Sequence, residues 1–299
     1  MSKKSKNNKR KKTIKLWLEG ARLRTLPLAI APVALGAGIA KADSAFNLGL
    51  TLLALAVALF LQIGVNFAND YSDGIRGTDA KRVGPLRLTG SGSTKPELVK
   101  NTAFAFFGLA ALAGLAIVLI TGFWWLIAVG VACIVAAWYY TGGKKPYGYS
   151  GFGEIAVFVF FGLVATVGTT YIQTRSVDQT SLILGSALGL FASAVLMVNN
   201  IRDRELDQHV GKRTLAVKIG ATWSKVLFLT MLWLPMLLVT LVAMAYPNLA
   251  LVWFIVLLLA PATLIFLMAK SPKDLILVLK LTSFVALGFG LLALFALSF

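Results

Sequence analysis

Apolar residues run along this chain in long unbroken stretches, and polar residues gather in the short breaks between them. The stretches cover 16–40, 48–68, 101–121, 123–141, 153–173, 181–200, 224–245, 248–269 and 277–298. Each is on the order of 20 residues, the length an α-helix needs to cross the hydrocarbon of a bilayer. They are near-continuous and lack the period-two alternation that a membrane barrel requires. Backbone groups in lipid must be satisfied internally, which leaves helices. The pattern predicts an all-α membrane protein of about nine transmembrane helices.

Composition agrees. Of the 299 residues 58% are hydrophobic, and the mean hydropathy of +0.80 excludes an ordinary soluble domain. Charge sets the orientation. With a cytoplasmic N-terminus the outward breaks hold only Lys41 and Arg175, and the rest of the 29 Lys and Arg lie on or near the inner side. That asymmetry predicts a multi-pass protein of the cell (plasma) membrane, N-terminus cytoplasmic and C-terminus outside. The opening MSKKSKNNKRKK carries seven bases and no acid. It predicts a disordered tail over 1–15 resting on anionic lipid, with no nucleic-acid partner, ahead of a single domain over 16–299. Ala40-Lys-Ala resembles a leader-cleavage site, but Arg22 and Arg24 interrupt the apolar segment before it. Cys133 stands alone, so no internal disulfide forms.

The acids are unevenly spread. Six of the twelve fall in two segments, VNFANDYSDGIRGTD (Asp70, Asp73, Asp79) and NNIRDRELDQHVGKRTLAV (Asp203, Glu205, Asp207). Each follows an apolar stretch, at the same predicted membrane face. Asn69 precedes Asp73 by four residues as Asn199 precedes Asp203, which hints at duplication of a four-helix unit with one helix appended. A single acidic loop is most simply a solvated one. Two matching loops on one face ask for more. Asp203 and Asp207 are i and i+4, and Asp70 and Asp73 are i and i+3, so on continuing helices each pair shares a face. Neighbouring carboxylates repel and resist desolvation, and a divalent cation relieves both penalties.

Mg²⁺ takes a few carboxylates and completes its shell with water and phosphate oxygens. The bases beside the acids, Arg76, Lys81, Arg82, Arg87, Lys212 and Arg213, suit a phosphate rather than an ion path. A diphosphate at a membrane surface, beside an apolar cavity, suggests an isoprenyl diphosphate. Its C–O bond ionises to an allylic cation when the leaving group is stabilised and water is excluded.

These motifs resemble those of the UbiA superfamily of intramembrane prenyltransferases, N-D-x-x-D-x-x-x-D and D-x-x-x-D. Here the first reads Asn69-Asp70-x-x-Asp73, with Asp79 two places late, and the second Asp203-x-x-x-Asp207. That extended form, with GPLRLTGSG after it, is similar to the branch acting on 1,4-dihydroxy-2-naphthoate in menaquinone synthesis. NNIRDRELDQHVGKRTLAVKIG, WLEGARLRTLPLAIAPVALGAGIA and YTGGKKPYGYSGFGE are similar to it too.

The resemblance implies a helix bundle around a central cavity, with polar cap loops on the cytoplasmic side. It implies Mg²⁺, a polyprenyl diphosphate donor, and a small aromatic acid prenylated at its carboxylate-bearing carbon with loss of carbon dioxide. Asn66, Asn69, Asp70, Asp73 and Asp79 would form one metal–diphosphate cluster, and Asp203 and Asp207, with Asn199, the other. Asp70, Asp73, Asp203 and Asp207 would be the catalytic core. Arg22, Arg76, Lys144, Lys145, Lys212 and Arg213 are diphosphate candidates, and Arg82 or Arg87 would meet the acceptor carboxylate. Of Tyr139, Tyr140, Tyr147 and Tyr149, Tyr139 is taken as the aromatic facing the cation. Glu205 and His209 are expected in solvent, and Glu154 opens a helix, with a supporting role implied by its GFGE context. Acceptors such as 4-hydroxybenzoate, homogentisate or a tetrapyrrole are the nearest alternatives. A transporter is a further one, although transporter ion sites lie near the bilayer midplane.

Overall fold

A computed structural model of the chain describes residues 14–78 and 87–299, and among these it contains helices and no strand. Asp79, Lys81 and Arg82, and most of the predicted basic tail, lie outside the described residues. Helix α1 (Ile14–Thr25) already includes Lys15, and it meets α2 (Pro27–Ala42) at a 47° bend. The bend has a local cause: Arg22 is left-handed (φ 52°), Leu23–Thr25 is a single 3₁₀ turn, and Pro27 restarts the helix where a missing N–H costs nothing.

Six further helices precede the last two: α3 (Leu48–Ile75), α4 (Pro96–Thr121), α5 (Leu126–Tyr139), α6 (Gly153–Thr174), α7 (Gln179–His209) and α8 (Leu215–Ala243). Then come α9 (Pro247–Met268) and α10 (Asp274–Ala296). Asn47 and Asp178 cap α3 and α7 by accepting the Leu50 and Ser181 amides. Among the described residues seven helices are long and apolar enough to cross a membrane, or eight if the bent α1–α2 pair is one span. The stretch expected to span at 123–141 forms only the 14-residue α5. That is about 21 Å of helix against about 30 Å of hydrocarbon. Left-handed Gly122 (φ 74°) ends α4 just before it.

The core gathers around α7, whose most apolar window is 72% buried against 17% for α3. Phe191 of α7, Leu35 of α2, Phe228 of α8 and Phe289 of α10 are fully buried there. Glycines let backbones touch: a Cβ on Gly162 of α6 would lie 2.5 Å from Gly189 Cα and 2.7 Å from Gly185 O of α7. This contact falls within Phe158–Val164, a π-helical stretch of α6 that faces the main cavity.

One end of the bundle is tied by Gln173, whose Oε1 accepts the Asn47 amide at 2.7 Å and the Thr51 hydroxyl at 3.3 Å. The start of α3 therefore lies against the end of α6, from which a short connection leads into α7, and the far ends of α3 and α7 carry the two acidic motifs. Both helices continue through those motifs, to Ile75 and His209, so the acids belong to helices and not to the loops expected after residues 68 and 200.

Candidate active site

Continuation of the helices fixes which acids converge. Asn69 and Asp73 are one turn apart on α3, and Asn199, Asp203 and Asp207 are one turn apart on α7. All five line one polar cavity of about 120 Å³ between the ends of the two helices. Asp73, Asp203 and Asp207 are 4%, 6% and 8% exposed, so each carboxylate is largely withdrawn from water. Such groups persist only with counter-charges.

The counter-charges are present. Lys212 Nζ lies 3.3 Å from Asp73 Oδ1 and Arg87 lies 3.8 Å from Asp73 Oδ2. The Tyr149 hydroxyl donates to Asp73 Oδ1, and the Lys212 ammonium sits 4.4 Å from the centre of the Tyr149 ring. Burial pushes the Tyr149 phenol above its ordinary range, and the Asp73 carboxylate adds to the effect. Arg202 holds Asp203 with two bonds of 2.7 Å and reaches Asn199 Oδ1 at 2.8 Å. The α7–α8 turn brings Lys212 in: Gly211 adopts φ 77°, Lys212 N donates to Asp207 O, and Arg213 N donates to Tyr149 O, both at 2.8 Å.

A much larger cavity of about 610 Å³ adjoins the polar one and is mostly apolar. Arg22, Asn69, Arg87, Tyr140, Leu196 and Asn199 line both. The arrangement is a charged head site above a long greasy chamber.

Several candidates sit elsewhere. Asp70 lines neither cavity; its two oxygens accept the amides of Leu88 and Thr89, each at 2.8 Å, and so anchor the strand of chain that presents Arg87. Asn66 lines the apolar cavity only, donating at 3.0 Å to Ala21 O and to Thr25 Oγ1. Arg76 donates to the carbonyls of Thr141 and Gly143, which clips α3 to the turn after α5, and it lines neither cavity. Lys144, Lys145 and Arg213 are exposed and line neither. Tyr139 is 50% exposed, and its neighbour Tyr140 faces both cavities instead. Glu205 and His209 are exposed, as expected. Glu154 is 2% exposed and accepts Asn200 Nδ2 at 2.8 Å.

The sequence reading passed over Tyr149 as a site residue, and with it Arg202, Asn200, Thr214 and Gln62. Thr214 lines the polar cavity, and its buried hydroxyl has no partner there. Gln62 carried a signal. With Asn66, Asn69 and Asp73 it forms a polar stripe at helical spacing along an otherwise apolar helix.

Comparison with known proteins identifies the architecture. Residues 29–275 match the model of the UbiA prenyltransferase family. The chain belongs to the UbiA prenyltransferase family. It is 54% identical over 212 residues, 71% of this chain and 72% of the relative, to a protein of Mycobacterium tuberculosis named 1,4-dihydroxy-2-naphthoate octaprenyltransferase. A protein of the same name from Escherichia coli is 40% identical over 210 residues, 68% of each chain. Among solved folds, a UbiA homolog from Archaeoglobus fulgidus bound to GPP and Mg²⁺ aligns with a TM-score of 0.66 at 16% identity, covering 95% of this chain and 99% of that one. A UbiA homolog from Aeropyrum pernix aligns at 0.68 and 13% identity, covering 88% and 96%.

The family implies a divalent cation, and the donor set suits one. Carboxylate and amide oxygens of Asp73, Asp203, Asp207, Asn69 and Asn199 share one cavity, beside the unpartnered Thr214 hydroxyl. Among the described residues no group of three or more His, Cys, Asp or Glu is placed to hold a metal ion by itself, so any cation here would need further oxygens from water or ligand. An open, oxygen-only set is the kind that Mg²⁺ shares with water and phosphate.

Proposed function

We propose that this UbiA-family prenyltransferase moves a polyprenyl group from polyprenyl diphosphate to 1,4-dihydroxy-2-naphthoate, with decarboxylation, giving demethylmenaquinol for menaquinone synthesis. The observation that carries this reading is the junction of the two cavities: a charged chamber sized for a phosphate head opens onto an apolar one sized for a lipid tail. The named relatives point to the naphthoate acceptor. The cavity acids lie at the end of the bundle that the positive-inside pattern assigns to the cytoplasm. In the same orientation the eight spans, with the short α5 as a ninth crossing, would leave the C-terminus outside.

Asp73, Asp203 and Asp207, with Asn69 and Asn199, would hold Mg²⁺, which supplies charge neutralisation of the diphosphate as it leaves. Lys212, Arg87 and Arg22 add fixed positive charge around the same group. Thr214 offers a hydroxyl to one of its oxygens. Tyr140 at the junction gives the developing allylic cation an aromatic face, worth about 0.5–2 kcal/mol. The apolar walls keep water from capturing that cation. The carbon–oxygen bond of the donor breaks, and diphosphate leaves with the electron pair. A carbon–carbon bond forms at the carboxylate-bearing ring carbon. Loss of carbon dioxide returns two electrons to the ring and restores aromaticity, so no strong protein base is needed.

The test is direct. Purified protein with Mg²⁺, a long prenyl diphosphate and a panel of aromatic acids should yield one decarboxylated prenyl-naphthalenediol by mass. Exclusive prenylation of 4-hydroxybenzoate or homogentisate would overturn the acceptor. Absence of any prenylated product would overturn the reaction.

A further inference from the structure

Glu154 is a buried acid that the prenyl-transfer chemistry leaves unused. It sits in the first turn of α6, and that turn is pinned to α7. The Ser193 hydroxyl donates to Glu154 O at 2.9 Å, and a Cβ on Gly153 would lie 3.1 Å from Leu196 Cδ2. Ser193, Leu196 and Asn200 share one face of α7, at i, i+3 and i+7. The Glu154 side chain follows that face to Asn200, whose Nδ2 donates to Glu154 Oε1 at 2.8 Å. A carboxylate suits the start of a helix, but an exposed one would serve the dipole as well. This one is 2% exposed, and its Oε2 is buried without a hydrogen-bond partner. Burying a carboxyl so incompletely paired is costly, and helix packing alone gives no return for it.

What the acid does fix is the sense of one amide. Its oxygen takes the donor end of Asn200, so the carbonyl end, Oδ1, is the end left for the polar cavity that Asn200 lines. Asn200, Asp203 and Asp207 lie at i, i+3 and i+7 and line that cavity together. The neighbouring Asn199 differs, because its Oδ1 already accepts from Arg202 at 2.8 Å. An amide oxygen cannot bond a diphosphate, whose ionised oxygens are acceptors too. It can bond a cation. Freed from Glu154, the Asn200 amide could turn and offer its N–H to the diphosphate instead.

We propose that Glu154 is a positioning residue: through Asn200 it turns one neutral oxygen toward the divalent cation of the polar cavity. This rests on the prenyl-transfer reading for the cation, and adds a ligand beside the paired carboxylates and the buried acid that orients it. An outer group that orients a metal ligand is worth about 10–100-fold in metal affinity.

The probe is Mn²⁺, which takes the same oxygen ligands as Mg²⁺. It is titrated, by its EPR signal, into the full chain in detergent with inorganic diphosphate. Glu154→Met is close in length and has no acceptor oxygen, so it should weaken Mn²⁺ binding about tenfold. Glu154→Gln keeps an oxygen for Asn200 and should recover most of the loss. Asn200→Ala should lose the same factor as Glu154→Met, and Glu154→Met/Asn200→Ala should lose no more than either alone. Melting without metal separates this from a structural role. Glu154→Met removes an incompletely paired buried carboxyl, so it should melt no lower than wild type while binding the metal more weakly. The inference fails if Glu154→Met binds Mn²⁺ as wild type does, or if the losses of the two single variants add. It fails equally if Glu154→Met melts lower and Glu154→Gln does not recover binding. If wild type itself binds no Mn²⁺ with diphosphate, the metal reading of the site falls and this inference with it. Wild-type binding that the variants leave unaltered would sink the inference alone.

Discussion

Replacing Asp73 with Asn separates what that carboxylate does for the fold from what it does for the reaction. The side chain is 4% exposed and faces Lys212 at 3.3 Å, Arg87 at 3.8 Å and the Tyr149 hydroxyl. Asn keeps the shape and an acceptor for Tyr149 but removes the charge. Lys212, itself 9% exposed, is then a buried cation without its nearest anion. Breaking a buried pair from one side costs about 3–5 kcal/mol, mostly the desolvation of the survivor. Arg87 loses less, because its contact is longer. Asp73→Asn should therefore lower thermal stability in detergent by several degrees or more, and Asp73→Asn/Lys212→Met should return most of the loss. Turnover behaves differently. Losing one preorganised electrostatic group costs about 10²–10³-fold in kcat, and removing Lys212 as well cannot restore it. Thermal unfolding and transfer from labelled prenyl diphosphate, measured on both variants, check this. Recovery of turnover in the double variant would refute the reasoning, because Asp73 would then serve only to neutralise Lys212.

Asp70→Asn should act through the fold instead. Asn offers one acceptor oxygen where the carboxylate holds the Leu88 and Thr89 amides, so about 1.5–3 kcal/mol of stability is lost, with a smaller fall in kcat than for Asp73→Asn. Unchanged melting with a larger fall in kcat would move Asp70 into contact with ligand. Burial pushes the Tyr147 phenol up to about 12, and burial, then Asp73, pushes Tyr149 up as well. Their folded values exceed the ordinary value of about 10, so the stability they contribute is complete below that pH and declines as pH rises through the folded values. Tyrosinate absorbance of the native protein should therefore level off before all seven tyrosines titrate, with the remainder appearing on unfolding. Titration of all seven near the ordinary value with the helices intact would contradict the burial.

What the sequence could and could not disclose follows from what hydropathy measures. Hydropathy marks where lipid contact ends, and α3 and α7 outlast their apolar runs to reach Ile75 and His209. The acids were therefore legible as a pair of matching clusters, while the continuation of both helices through them entered the sequence reading only as a condition. The i to i+3 relation of Asp70 and Asp73 suggested one shared face. A long-range contact with Leu88 and Thr89, which no local pattern encodes, takes Asp70 away from it. Tyr139 and Tyr140 differ by about 100° of helix rotation, and the phase at a helix terminus is set by packing rather than by composition. Lys144 and Lys145 carried the right charge in the right loop and remain in solvent. The stripe Gln62, Asn66, Asn69, Asp73 was the clearest helical signal of the site, and it begins inside an apolar run where attention falls on the lipid-facing residues.

The ends of α3 and α7 also explain why these acids mark a site rather than a scaffold. A helix C-terminus carries about half a negative charge, so carboxylates are disfavoured in its last turn. Asp73 and Asp207 nonetheless occupy the same place, two residues before the helix ends at Ile75 and His209, and both are buried. Neither capping nor core packing rewards a carboxylate there. Arg87, Lys212 and Arg202 offset charge at this end, and each of these bases is itself drawn out of water to do so. A chain selected for stability alone would fill both positions with neutral residues. Two helices repeat the same local conflict at one end of one cavity, and the cation of the proposed reaction would relieve both.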